Sequence, residues 1–328
     1  MDESTNSVAA ASQPEASPAP VPETIRTIAV VGEIPFSGAA AIRELYNAGY
    51  NVRVLCPDEP SELAALASRK DASANSITTV RGDLENESAI RDVLQGAFAV
   101  VFLSPVNLEG RIYRSRSHLE DCKRLIAAAE ASAIRKIVYH SALGAYSKAL
   151  SRTMREAAQA EQLFQNSRCE DYCVRTAPLM GRGDGLLTGF VERAKRGSPF
   201  MLIEGYGSTM LQPLHVNDLA VCLVRIFRDQ PDELAPDTYQ LAGPEVTTIL
   251  DLYDQALARA GRFKFKFHFP LFVMKLVAMA QPGSAFEERL NLLYDLFFTD
   301  KNDAPKLAGP GFKPRTTRQA QEEVFGAA

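Results

Sequence analysis

The segment Ile28-Ala-Val-Val-Gly-Glu-Ile-Pro-Phe-Ser-Gly38 constrains the fold more than any other. An apolar, β-branched run from Thr27 to Val31 reads as a buried strand, Gly32 as a tight turn, and the alanine-rich stretch Ala39 to Ala48 as a helix stopped by Gly49. Strand, glycine turn and helix in that order set helix N-terminal N–H groups at the carboxyl end of a strand, where a pyrophosphate can sit. Three glycines normally serve such a loop: one turns the chain, one lets the backbone approach the phosphates, and one lets helix pack on strand. Gly32 and Gly38 fill the outer roles, but Pro35 stands in the middle one. Proline removes an N–H donor, fixes its own φ and pushes Ile34 toward extended geometry. Glu33 adds a carboxylate beside the expected phosphates, where repulsion over about 4 Å is about 1 kcal/mol in water and about 4 at an effective dielectric of 20. At about 1.4 kcal/mol per tenfold, that is a ten- to thousandfold loss of affinity.

From residue 25 onward strands and helices alternate. Strands are expected at Asn51–Cys56, Ser76–Val80, Ala97–Leu103, Lys136–His140 and Asp171–Arg175. The intervening helices are expected at Ser61–Arg69, Asn86–Gln95, Tyr113–Ala131 and Ser151–Asn166. Near-continuous apolar strands between helices imply a parallel sheet covered on both faces, and right-handed crossovers make it doubly wound, a Rossmann-type α/β fold. Residues 25–178 are expected to form this domain. Residues 179–328 then supply late sheet elements (Phe200–Ile203 and Thr238–Leu241), the helices Leu186–Arg196, Val216–Arg228 and Ile249–Ala260, and a small C-terminal lobe. The first 24 residues, rich in Ser, Ala, Pro and Glu, are expected to be a disordered tail.

Composition narrows the function classes. A net charge of −4 with no basic block argues against nucleic-acid binding and against general attraction to a membrane surface. Five scattered cysteines and four histidines show no ligand spacing, so no metal site is expected, and reduced thiols are. Without an apolar signal region, a basic presequence or a bilayer-length apolar run, the expected location is the cytoplasm, with no transmembrane segment.

Further motifs follow in order: Gly82-Asp-Leu84, Ile137-Val-Tyr-His-Ser-Ala-Leu-Gly-Ala145, Val174-Arg-Thr-Ala-Pro-Leu-Met-Gly181, Gln212-Pro-Leu-His-Val-Asn-Asp-Leu-Ala220 and Tyr239-Gln-Leu-Ala-Gly-Pro244. With the Gly32–Gly38 loop they resemble the atypical and extended short-chain dehydrogenase/reductase superfamily. The resemblance is to its NmrA-like branch and to the nucleotide-binding accessory subunit of respiratory complex I, over roughly residues 25–325. It implies that Gly32, Pro35, Phe36 and Gly38 surround the pyrophosphate and that Asp83 and Leu84 bracket the adenine. It further implies that Leu103 and Ser104 lie under the ribose and that Ser141 faces the nicotinamide. The implied cofactor is NAD or NADP. Asp58, just past the second strand where NADP-using relatives carry an arginine, favours NAD by accepting from the ribose hydroxyls.

Such enzymes pair a tyrosine with a lysine four residues later to move a proton alongside the hydride. Laid over Ser151–Phe164, the resemblance places Thr153 and Ala157 at those positions, and neither can do the chemistry. Tyr146 is the candidate acid that is left, although Lys148 lies only two residues on, which does not put two side chains on one helical face. Arg175, at a strand end, reads either as an anion ligand for substrate or as an ion-pair partner. His140 and His215 read as structural, and Asp218 as a charge favourable to a helix dipole.

Finally, Phe263, Phe265, Phe267 and Phe269 alternate with Lys264, Lys266 and His268, so four rings share one face of a strand. Pro270 then opens an apolar helix, Leu271–Ala280. Residues 263–281 are therefore expected either to close the small lobe or to dock a protein partner or membrane interface. The chain reads as a dinucleotide-fold protein with an accessory, assembly or sensing role and little or no hydride transfer. The alternative is an NAD(P)-dependent oxidoreductase or epimerase with a relocated proton donor.

Overall fold

The computed structural model describes residues 25–58, 63–65, 75–104, 118–228, 234–280, 284–293 and 297–325. The expected N-terminal tail lies outside the described residues. So do all but 63–65 of the helix expected at Ser61–Arg69, and the start of the one expected at Tyr113–Ala131.

The apolar runs build one seven-stranded sheet. Its strands are β1 (Thr27–Gly32), β2 (Asn51–Cys56), β3 (Ile77–Arg81), β4 (Ala99–Leu103), β5 (Lys136–Ala142), β6 (Glu170–Thr176) and β11 (Thr238–Leu241). The spatial order is β11-β6-β5-β4-β1-β2-β3, and every neighbouring pair is parallel. The order reverses at β1/β4, the crevice where doubly wound folds hold ligands.

Helices α1 (Ala39–Asn47), α2 (residues 63–65), α3 (Glu87–Leu94), α4 (His118–Ala131) and α5 (Arg152–Gln165) form the crossovers. Because strand side chains alternate, Ile28 and Val30 join one core with Ile42, Leu45, Leu223 and Phe227, while Ala29 and Val31 join another with Ile90, Leu125 and Phe164. At about 25 cal/mol per Å² of apolar area, this two-sided burial is what holds the sheet.

The later chain adds α6 (Leu186–Lys195), α7 (Val216–Phe227), α8 (Ile249–Arg259), α9 (Leu271–Met279), α10 (Ala285–Leu292), α11 (Ala304–Ala308) and α12 (Thr317–Phe325). Short strand pairs accompany them: β7 (Leu179–Met180) with β10 (Leu214–His215), β9 (Met210–Leu211) with β12 (Thr247–Thr248), and β8 (Phe200–Glu204) with β13 (Phe265–Phe269). Helices α6 and α8 pack around Phe190 and Tyr253 in a core separate from the two under the sheet.

Three buried charges tie the parts together. Lys136 Nζ donates to Ile226 O at 3.0 Å, satisfying the carbonyl end of α7. Glu288 of α10 accepts from Arg152 N at 2.9 Å and Thr153 N at 2.8 Å, so a carboxylate of the later chain sits on the N-terminus of α5. Asp218 does more than favour a dipole. Fully buried, it accepts from Arg315 N at 2.7 Å and pairs with the Arg315 guanidinium, pinning the segment that leads into α12. His215 accepts from Asn217 N through Nδ1 at 3.2 Å, so Nε2, 3.1 Å from a Glu323 oxygen, carries the proton.

Candidate functional site

The loop after β1 is held tightly against β4. Gly32 has φ +102°, and a Cβ there would lie 2.1 Å from Leu103 O, so only glycine fits the turn. Glu33 N then donates to Leu103 O at 2.8 Å. Residues Ile34–Gly38 form a π-helical turn before α1 rather than a direct helix start. A Cβ on Gly38 would come 2.7 Å from Glu33 O, which accounts for the second glycine.

The loop's donors are already engaged. Glu33 accepts from Phe36 N at 3.0 Å, from Ser37 N at 2.6 Å and from Ser37 Oγ at 2.6 Å. The side chain expected to repel a phosphate thus stands in a phosphate's place. A pyrophosphate and this carboxylate cannot hold the same N–H groups together, so the loop fits a dinucleotide only with Glu33 turned away.

Along the strand ends, Asp83 accepts from Glu85 N at 2.9 Å and Leu84 packs against the second core. Asp58 lies 3.5 Å from Arg81 NH2, both side chains open to solvent. Sequence reading missed Arg81, because the two ends meet only through the β2/β3 register, Cys56 opposite Arg81. Leu103 is fully buried under the loop, and Ser104 follows it at the end of β4.

A cavity of about 500 Å³ opens beside the loop at the carboxyl ends of β4, β5 and β6. Phe36, Met154, Leu179, Leu186 and Phe297 give it apolar walls, and Ser104, His140 and Thr176 line it from the sheet. His140 Nε2 lies 2.8 Å from Thr176 Oγ1, while His140 Nδ1 and Ser104 Oγ have no hydrogen-bond partner of ordinary length. Burial pushes the His140 pKa down to about 4, so the imidazole is neutral at physiological pH.

Alternation along β5 explains why His140 lines this cavity and Ser141 does not. Ser141 Oγ donates to Glu161 Oε1 at 2.6 Å, on the α5 side of the strand. Glu161 also holds Arg175 through both oxygens, at 2.8 and 2.5 Å, so Arg175 stands in an ion pair. On α5 itself Ala157 is buried and Thr153 lies at the Glu288 cap. Tyr146 is about half exposed (54%), in the turn after β5, and is not part of the cavity wall. Met154, Thr176, Asp184 and Phe297 also line the cavity without having been singled out; only the fold brings these four distant positions together. Among the described residues no group of three or more His, Cys, Asp or Glu could hold a metal, and no helix is long and apolar enough to cross a membrane.

A family model described as NAD(P)H-binding matches residues 36–199, half of the chain. NADH dehydrogenase [ubiquinone] 1 alpha subcomplex subunit 9, mitochondrial, of Arabidopsis thaliana is 29% identical over 230 residues, covering 68% of this chain. The chain spans only 55% of that relative's length. The Mus musculus protein of the same name is 23% identical over 259 residues, 79% of this chain and 67% of its own. Among solved structures, an NADPH-dependent quinone oxidoreductase of Escherichia coli complexed with NADPH superposes with a TM-score of 0.69 at 18% identity, over 91% of this chain and 100% of that one. MoeE5 in complex with UDP-glucose and NAD gives 0.68 at 17%, over 91% and 97%. At these identities the structural likenesses concern the fold.

Proposed function

The chain belongs to the NAD(P)H-binding family, and from that premise we propose a dinucleotide-fold protein with an accessory, assembly or sensing role and little or no hydride transfer. One observation carries the reading: among the described residues that line the cavity there is no tyrosine and no lysine. The family resemblance lays Thr153 and Ala157 over the tyrosine and lysine positions of α5, and Ser141, Glu161 and Arg175 are committed to one another. A neutral His140 with a pKa near 4 is a poor substitute, since a proton donor works best with a pKa near the working pH. When bound, the cofactor would supply hydride. This chain's residues would only seat it, through Gly32 and Phe36 at the pyrophosphate, Asp83 and Leu84 at the adenine, and Asp58 at the ribose hydroxyls, which favours NAD.

The test is calorimetry of the full chain with NAD, NADH, NADP and NADPH, followed by a search for NAD(P)H oxidation with quinone and carbonyl acceptors. Binding without turnover is expected. Turnover that Tyr146→Phe abolishes would establish the alternative, an oxidoreductase or epimerase with a relocated donor, and overturn the reading.

The accessory role has support from an exposed strand. Phe265, Phe267 and Phe269 of β13 and Phe263 just before it are all exposed, Phe263 by 82% and Phe265 by 59%, while Lys264, also before the strand, is buried with Nζ on Arg193 O (2.8 Å) and Arg196 O (2.6 Å). Phe200 and Leu202 of β8 and Phe272 and Leu276 of α9 are exposed as well. A soluble monomer seldom leaves so many large apolar side chains uncovered, and the named relatives are subunits of a larger enzyme. The face spanning residues 263–280 is therefore read as the surface for a protein partner, residue 281 of the expected segment lying outside the described residues. Subcellular fractionation would separate the expected cytoplasmic location from the mitochondrial one in the relatives' names.

A further inference from the structure

We infer that the aromatic face of β8 and β13 is covered by the same face of a second copy of this chain, the two sheets stacking across a two-fold axis. The inference deepens the reading of this face as a protein surface and rests on it.

Alternation builds the face. Phe265, Phe267 and Phe269 lie on one side of β13, and the parallel register sets Phe265 beside Phe200 and Phe267 beside Leu202 of β8. Ring centre to ring centre, Phe200 lies 6.1 Å from Phe265 and 5.3 Å from Phe267, and Phe263 lies 5.4 Å from Phe265. These six side chains are all exposed, whereas Met201 and Ile203, on the opposite side of β8, are buried in the core with Phe190 and Tyr253. The helix that follows adds Phe272, Leu276 and Met279, an exposed stripe at helical spacing.

Charge selects the occupant. The cations of this stretch are turned away from the rings. Lys264 is buried on the carbonyls of Arg193 and Arg196, Lys266 pairs with Asp254 of α8, and His268 Nδ1 lies 3.1 Å from Gly205 O. A face that lies on a membrane keeps its lysines free to meet lipid phosphates, and an acidic protein partner needs the same cations. A patch of apolar side chains with its charge at the rim, as Lys275 flanks the α9 stripe, has the composition of a homodimer interface. A two-fold contact brings such a patch against itself, so the second copy supplies the complement.

Area agrees. The six sheet side chains average a little over half exposed, which is about 600 Å² at about 150–250 Å² for a large aromatic side chain, and the α9 stripe raises it to about 900 Å². A specific interface needs about 800 Å² from each partner. Adding a strand to the open edge of β13 would leave the rings in water, so the contact is face to face, with the sheets about 10 Å apart.

Sedimentation velocity of the full chain at micromolar concentration should show a species of twice the chain mass. Phe267→Glu on β13 and Leu202→Glu on β8 should each weaken association about thirtyfold or more, since losing an interface anchor costs about 2 kcal/mol and about 1.4 is tenfold. Lys266→Gln, on the other side of β13, should leave association nearly unchanged. Both glutamate positions are more than half exposed, so thermal midpoints should stay close to wild type. A dimer unmoved by both glutamate variants, or a monomer that sediments with vesicles of phosphatidylcholine and phosphatidylserine, would overturn the inference. A monomer that loses a co-purified protein on Phe265→Ser with Phe267→Ser would overturn it too, and leave the accessory reading standing. A dimer that turns over NAD(P)H would sink that reading and leave this interface standing.

Discussion

Glu33 and Ser37 are bound twice over: the Ser37 backbone N–H and its hydroxyl both donate to Glu33 Oε2, each at 2.6 Å. With Phe36 N on the other oxygen, the loop's anion-binding groups are satisfied from within the chain. Hydrogen bonds to a charged acceptor are worth about 1.5–3 kcal/mol each, so a dinucleotide has to displace real stabilisation as well as overcome repulsion.

Glu33→Ala should therefore raise affinity for NAD(H) about tenfold or more, and Pro35→Gly should add to it by restoring a donor. Calorimetry on both single variants and the double variant measures this. Unchanged affinity in all three would show that the loop does not limit binding.

The Asp58–Arg81 pair predicts cofactor choice. Wild-type protein should prefer NAD(H), because Asp58 faces a 2′-phosphate with like charge. Asp58→Ala leaves Arg81 facing that position, and the NADP(H)-to-NAD(H) affinity ratio should rise about tenfold, on the order of one exposed charge interaction. A ratio that does not move would remove Asp58 from the ribose site.

Asp171 on β6 is half-buried, and its Oδ1 has no hydrogen-bond partner. Burial, with the nearby Glu161 carboxylate as a smaller cause, raises its pKa to about 7. The folded state thus binds this proton more tightly than the unfolded chain, whose Asp pKa is about 3.9. Stability from this group is full below about pH 4 and is lost as pH rises through about 7. Asp171→Asn should raise the denaturation midpoint at pH 8 and leave it nearly unchanged at pH 4. The opposite pH ranking would show that Asp171 ionises easily in the fold.

Arg175→Ala strips the charge partner from Glu161, whose side chain is 4% exposed. Removing one member of a buried pair costs about 3–5 kcal/mol. The Arg175 side chain keeps 29% exposure, so the lower end is expected, read as a shift in urea midpoint. A loss of ligand binding with no loss of stability would instead assign Arg175 to the site.

Phe265→Ser with Phe267→Ser should abolish partner association in native co-purification with little change in thermal midpoint, since both rings are more than half exposed. Strong destabilisation would mean that these rings hold the lobe together.

The fold was legible because its signals are local. Apolar runs such as Ala97–Leu103 have only one way to be buried on both sides, and Gly32 admits a turn that a Cβ forbids, so strand, turn and helix followed from the residues alone. Strand ends shifted by a residue or two, as in Ala99–Leu103 and Ile77–Arg81, where pairing rather than propensity decides. What the chain's order left open was direction and company. Whether His140 or Ser141 looks into the cavity depends on which face of β5 each occupies. Whether Glu33 repels a phosphate or replaces one depends on where Phe36 N and Ser37 N point after a π-helical turn. Arg81 meets Asp58, and Asp218 meets Arg315, across separations that no periodicity spans. Those contacts are chosen when distant segments compete for the same buried donors and acceptors, and that competition exists only in the folded chain.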